Sequence, residues 1–415
     1  MDQTTPREQT LTQPAKPARM AIGVLALCFA LSVLGRGLGE SFTVFLKPIS
    51  ENFGWDRAQV VSVYSVTWLV SGLMAPVVGR VFDRSGPRMV YSLGIFFLGA
   101  AFLIASHAQS LWQFQASIGL CVGFGIALIG NVPNSILLGR WFGPRLPTAM
   151  AVVYSAMGGG VLVLLPASQL LIEHLGWRGA YQLFGVIAVC LLVPVVLLPW
   201  RRLAAGASHV VKKSDPGFAD EGWTLVSAMR HHAFWALFSC FFFTAVGMYA
   251  IAAQIVAYLI DAGFPPLQAA TAWGFSGVVL LFGMVGVSQL DSIIGRRPSV
   301  LISYAISIVG IILLWLLQYY PSYWLLTGFV ITFGSMIGSR GPLLSATAMK
   351  IFRGERVGTI FGTISIGSGL GSSLGSWSGG LLHDWTHSYN PVIAFSLVAV
   401  VLGMIPFLVV PALRR

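Results

Sequence analysis

The sequence predicts an all-α membrane protein of twelve transmembrane helices built as two related halves of six. Of its 415 residues, 56% are apolar and only 9% are charged. Runs long enough to cross a bilayer recur from Met20 to the C-terminus, and first-half residues find counterparts in the second half at a nearly constant offset. A crossing takes about twenty mostly apolar residues. A mean hydropathy of +0.80 exceeds what a soluble core requires.

Taken in order, the predicted spans 1 to 12 cover 20 to 46, 58 to 80, 89 to 107, 111 to 139, 148 to 172, 178 to 199, 233 to 260, 267 to 290, 299 to 319, 322 to 349, 357 to 382 and 391 to 411. Residues 1 to 19 form a polar tail. Span 1 is too long for a signal-peptide core and no small-residue cleavage site follows it, so it stays attached. The polar stretch 201 to 232, with Lys212, Lys213, Asp215, Asp220 and Glu221, reads as a linker between a first bundle at 20 to 200 and a second at 233 to 415. The offsets support a duplication: Asp83 to Asp291, Pro133 to Pro342, Phe142 to Phe352 and Gly160 to Gly371 drift only from 208 to 211.

The net charge of +11 could suggest a nucleic-acid partner, but its placement follows membrane topology instead. Twenty of the 25 lysines and arginines, among them Arg80, Arg140, Arg201, Arg230, Lys350 and Arg415, fall on the side of the N-terminal tail. Lys47, Arg57 and Arg178 fall on the other. This bias predicts both termini in the cytoplasm, in the cell inner membrane. The four cysteines, Cys28, Cys121, Cys190 and Cys240, all lie inside spans and read as buried thiols rather than disulfides.

The turn after span 2 reads Gly79-Arg80-Val81-Phe82-Asp83-Arg84-Ser85-Gly86-Pro87-Arg88. It resembles the G-x-x-x-D-R-x-G-R-R signature of the major facilitator superfamily, with proline at the penultimate place, and the resemblance extends from span 1 to span 12. The counterpart Asp291-Ser292-Ile293-Ile294-Gly295-Arg296-Arg297 has one extra residue and serine where arginine is usual. Phe53-Gly54-Trp55-Asp56-Arg57, Gly139-Arg140-Trp141-Phe142 and Gly176-Trp177-Arg178 resemble the monocarboxylate and oxalate:formate porter branch. The resemblance implies two pseudo-symmetric six-helix bundles around a central cavity, lined by helices 1, 4, 7 and 10, with one bundle rocking against the other. It also implies gating roles for Asp83, Arg84, Arg88, Asp291, Arg296 and Arg297.

Charges inside a span cost at least about 2.5 to 3.5 kcal/mol each and mark partners or function. Span 1 carries Arg36 and Glu40, four residues apart and therefore on one helix face. Span 10 carries Arg340, with no carboxylate within four residues of it. An arginine fork matches a carboxylate, so Arg36 and Arg340 are candidate anion receptors; the alternative for the first is a self-contained pair with Glu40, and for the second an interbundle pair with Glu40 or hydrogen bonds to carbonyls of broken helices. Asn131 precedes Pro133 as Arg340 precedes Pro342, which predicts that the two face each other across the cavity. Span 7 offers Tyr249, Gln254 and Tyr258. They cannot all share one face, and the offset of 209 ranks Tyr249 first, opposite Glu40. Glu40 is the candidate proton carrier, and symport and anion exchange both remain open.

Other patterns read as structure. Gly367, Gly371, Gly375 and Gly379 form a small-residue stripe, and Gly158-Gly159-Gly160 a close-packing segment. Gly367-Ser368-Gly369 follows no strand, so no nucleotide or other cofactor is expected. His383 and His387 lack a third metal ligand. No hydrolytic or redox constellation is present, so the chain is not expected to be an enzyme. The expected function is transport of a small organic anion, a monocarboxylate or short dicarboxylate, by a monomer. Efflux of amphipathic drugs would favour a lone carboxylate over two arginines. A transport-inactive sensor would carry a long tail, whereas Arg414 and Arg415 follow span 12 directly.

Overall fold

A computed structural model describes residues 15–142, 146–206, 223–352 and 357–413. The helices are α1 (Ala15–Phe53), α2 (57–85), α3 (87–105), α4 (Leu111–Phe142), α5 (146–175), α6 (177–197), α7 (His232–Asp261), α8 (Pro266–Ile294), α9 (Arg296–Leu317), α10 (323–351), α11 (Val357–Thr386) and α12 (Asn390–Val409). Every predicted span has a helical counterpart. Among the described residues, nine helices are long and apolar enough to cross a membrane, and one of them, Val152–Leu197, contains both α5 and α6. The direction reverses between these two at Gly176, where φ is 69°. The ends at which α1 begins and α12 stops are called the terminal side below, and the opposite face the distal side.

The duplication is written into the backbone as well as the side chains. Gly54 and Gly263, 209 residues apart, both take positive φ (66° and 98°) directly after α1 and α7. Gly86 and Gly295, again 209 apart, take φ of 75° and 86° at the turns joining α2 to α3 and α8 to α9. These are left-handed conformations in which a Cβ is strained, which accounts for glycine at all four places. Both α4 and α10 are irregular. Each has a π-helical stretch (Gln115–Val122 and Val330–Gly334), then a break, at Gly130 in α4 and over 337–340 in α10, where Gly338 has φ 77°. A π-turn followed by a break redirects every side chain beyond it.

Each half has its own buried core. One is made mainly of residues from Val24 to Leu203, including Phe45, Tyr64, Phe102 and Tyr181, and takes in Ala253 and Ala257 of α7; the other is made mainly of residues from Ala228 to Leu413, including Phe234, Tyr304, Phe333 and Phe407, and takes in Val44 of α1 and Val161 and Leu165 of α5. The halves meet where α5 crosses α8 and α2 crosses α11. A Cβ on Gly158 would sit 2.0 Å from the carbonyl oxygen of Gly277, and one on Gly72 would sit 2.9 Å from the Cα of Gly369. Within the second half, the stripe on α11 lies directly on the α7 backbone: Cβ atoms on Gly371 and Gly375 would each come within 2.2 Å of a carbonyl, of Phe242 and Val246. Small residues let helix backbones approach closely in a membrane, where packing rather than water drives association.

Candidate functional site

The polar centre of the molecule is built from α1, α2 and α7. Arg36 and Glu40, one turn apart on α1, form an ion pair of 2.8 Å. The Tyr64 hydroxyl of α2 donates to the second Glu40 oxygen at 2.7 Å. The same Nη2 of Arg36 donates to the Tyr249 hydroxyl of α7 at 3.1 Å. Trp68 lies one turn from Tyr64, with the Arg36 guanidinium carbon 4.7 Å from its ring centroid, and the Trp68 and Tyr249 rings meet edge-on at 5.5 Å. Glu40 is 5% exposed and Tyr64 1%. The pair is thus a desolvated ion pair with aromatic walls, where charge-assisted bonds are at their strongest.

Arg36, Glu40 and Tyr249 line a cavity of about 30 Å³ between the halves, room for about two waters. The rest of its wall is apolar or small, supplied by Met157 and Val161 of α5, Trp273, Ser276 and Leu280 of α8, and Ile337 of α10. Among the described residues, Arg36 is the one cation on this wall.

Arg340 is placed elsewhere, which corrects the expectation that it faces the cavity opposite Asn131. Its side chain turns into its own half: Nε donates to the Ser303 hydroxyl at 2.8 Å, and Nη2 to the Ser303 carbonyl at 2.6 Å and to the Ser307 hydroxyl, all on α9. The physical reason is the break at 337–340, which voids the regular helical register that paired the two positions. Asn131 is exposed, just past the matching break. Gln254 and Tyr258 do not reach the cavity either. Gln254 packs between α7 and Gly379 of α11, and the Tyr258 hydroxyl donates to the Leu314 carbonyl of α9 at 2.6 Å. The α7 helix is interrupted just before Gln254, so its face shifts there.

The expected gate residues divide similarly. The side chain of Asp83 lies outside the described residues, while Arg84 and Arg88 are exposed at the turn. Asp291 and Arg296 approach to 3.7 Å within their own turn, and Arg297 is exposed. Sequence reasoning passed over the contacts that join the halves on the distal side. Asp261 accepts from Lys47 (2.9 Å), from Arg57 and from the Tyr389 hydroxyl (2.9 Å). Asp384 of α11 accepts from the backbone N–H groups of Arg57 (3.1 Å) and Ala58 (2.6 Å), capping α2 from the opposite half. Burial raises the Tyr389 hydroxyl above its ordinary range, so it remains a donor. Among the described residues, the hydrogen bonds between halves run from Arg36–Tyr249 through Ser65–Ser376 to this cluster, and so lie from the centre to the distal face.

Known proteins agree with this architecture. The family model of the Major Facilitator Superfamily matches residues 25–376. An uncharacterised transporter of this type from Bacillus subtilis, YcxA, is 25% identical over 94% of this chain and 96% of its own. Monocarboxylate transporter 13 of Bos taurus is 26% identical over 88% of this chain and 84% of its own. Among solved structures, a bacterial homologue of the human lysosomal transporter Spinster, in an inward-facing and occupied conformation, superposes with a TM-score of 0.71 at 16% identity, covering 95% of this chain and 97% of that one. Twelve helices in two like halves, an ion pair at their interface and a family match over most of the length lead to one assignment: the chain belongs to the major facilitator superfamily and is a multi-pass membrane transporter, not an enzyme.

Proposed function

We propose that this transporter carries a small monocarboxylate together with a proton. The observation that supports it is the competition built into α1: the cation on the cavity wall is held by an acid one turn away. While Glu40 is ionised, Arg36 is occupied. A proton on Glu40 frees the Arg36 fork for a substrate carboxylate, and the Tyr249 hydroxyl, which accepts from Arg36, keeps its own proton to donate to that carboxylate. Arg36 and Glu40 sum to zero. Proton and carboxylate together also sum to zero, so loading the cavity leaves its charge unchanged, the cheapest arrangement in a low-dielectric site. Relatives named monocarboxylate transporters support the reading.

The remaining wall favours one carboxylate over two. With Arg340 bonded to α9, the surfaces of α5, α8 and α10 offer Met157, Val161, Leu280 and Ile337 to the substrate body. A second carboxylate there would lie unpaired. The distal contacts close that side, which we take as periplasmic, with both termini in the cytoplasm, the chain acting as a monomer in the inner membrane, and residues 201–232 linking bundles at 20–200 and 233–415. The test is competition for labelled monocarboxylate uptake into proteoliposomes. Unlabelled monocarboxylates should compete, and dicarboxylates of equal length should compete at least about tenfold less well, since an unpaired buried charge costs more than 1.4 kcal/mol. Equal or better competition by dicarboxylates would overturn the assignment.

A further inference from the structure

Among the described residues, the charged side chains in the middle of the helices are Arg36, Glu40 and Arg340. Two of these cancel. Arg340 does not: it is 2% exposed, and its hydrogen-bond partners are the Ser303 hydroxyl and carbonyl and the Ser307 hydroxyl, all neutral. Its guanidinium carbon lies 4.0 Å from the Tyr304 ring centroid, and its Nη1 has no hydrogen-bond partner. Hydroxyls and a ring face hold a guanidinium in place without neutralising it. The interior therefore carries one uncompensated positive charge.

That charge stands on the helix that also lines the cavity, since Gly334 and Ile337 of α10 form part of its wall. Being buried, it is screened much less by salt than a surface charge is. At an effective dielectric near 20, a fixed unit charge roughly 10 Å from another changes affinity by about tenfold. We propose that Arg340 determines anion selectivity without touching the substrate: it is a fixed, uncompensated cation whose field favours an anion over a neutral molecule in the neighbouring cavity. Ser303, Ser307 and Tyr304 keep it turned away from the cavity, so it acts through its field and not through a contact. This role rests on the monocarboxylate reading above and adds a residue to it.

The test uses proteoliposome uptake of a monocarboxylate carried by the wild type, with inhibition by the matching uncharged amide as a second readout. Arg340→Gln removes the charge. Ser307→Asp leaves the arginine in place and neutralises it, because Ser307 already accepts from Nη2. Both should raise KM for the carboxylate by about tenfold, or about 1.4 kcal/mol, with kcat changed less than about threefold. Arg340→Lys keeps the charge and, since the effect is carried by the field and not by the fork, should keep KM within about twofold of wild type. Amide inhibition should be the same in all four proteins, whereas a merely structural role would move both readouts together. If Arg340→Gln does not fold, Ser307→Asp carries the test alone. Unchanged KM in a transporting Ser307→Asp protein overturns the proposal, as does damage by Arg340→Lys equal to that of Arg340→Gln. A wild type that takes up no carboxylate overturns the underlying reading and this one with it.

Discussion

Arg36→Gln is expected to lower carboxylate uptake at least about a hundredfold, mostly through KM, while the protein still folds into membranes. Arg36 is the receptor for the substrate charge in this account, and losing a bidentate charge-assisted bond in a desolvated site costs about 2 to 5 kcal/mol. The fold is expected to survive because Glu40 keeps its hydrogen bond to Tyr64. Arg36→Lys retains the charge but not the planar fork and should fall between the two. Concentration-dependent uptake in proteoliposomes, alongside a thermal melt in detergent, separates lost binding from lost structure. A wild-type KM in Arg36→Gln would remove the basis of the site.

Glu40→Gln should have the second large effect, of a different kind. The amide still accepts from Tyr64 but never competes for Arg36 as a carboxylate does, so substrate should bind as well as in wild type or better. What is lost is the link to the proton. Accumulation driven by an inward proton gradient should fall more than about tenfold, to the level of vesicles without a gradient, while exchange of labelled for unlabelled substrate continues. Gradient-driven accumulation at the wild-type level would show that another group carries the proton.

The large-scale organisation was legible in the residues because it depends on patterns that survive local irregularity. Span lengths follow from bilayer thickness, and the offset of 209 reappears in paired glycines that share a left-handed backbone, Gly54 with Gly263 and Gly86 with Gly295. Arg36, Glu40 and Tyr249 were also legible: the first two share a regular stretch of α1, and Tyr249 precedes the interruption of α7. Where helices break, side chains leave the register that a regular helix predicts. Arg340 follows Gly338, Asn131 follows Gly130, and Gln254 and Tyr258 follow the turn in α7; each then points where a regular helix would not send it.

Helices 1, 4, 7 and 10 do not supply the whole cluster. Tyr64 and Trp68 stand one turn apart on α2 and complete the cluster around Arg36 and Glu40. An i, i+4 pair of large aromatics was visible in the sequence and would have been the signal. Lys47 reads in the sequence as a topology marker and Arg57 as a topology marker and part of a family motif, yet both bond Asp261 across the distal seam. Their partners lie more than two hundred residues away, on helices whose approach no local pattern specifies.

Proton movement on addition of substrate, with no gradient imposed, shows whether a carboxylate enters together with a proton. Wild-type protein is reconstituted into vesicles containing a trapped pH-sensitive dye, and external monocarboxylate is added with label uptake followed in parallel. If, as proposed, a proton on Glu40 frees Arg36, the lumen should acidify in step with uptake, one proton for each carboxylate and no net charge moved, above the leak of protein-free vesicles. Carboxylate entry without acidification, or entry only against an anion loaded inside, would contradict it.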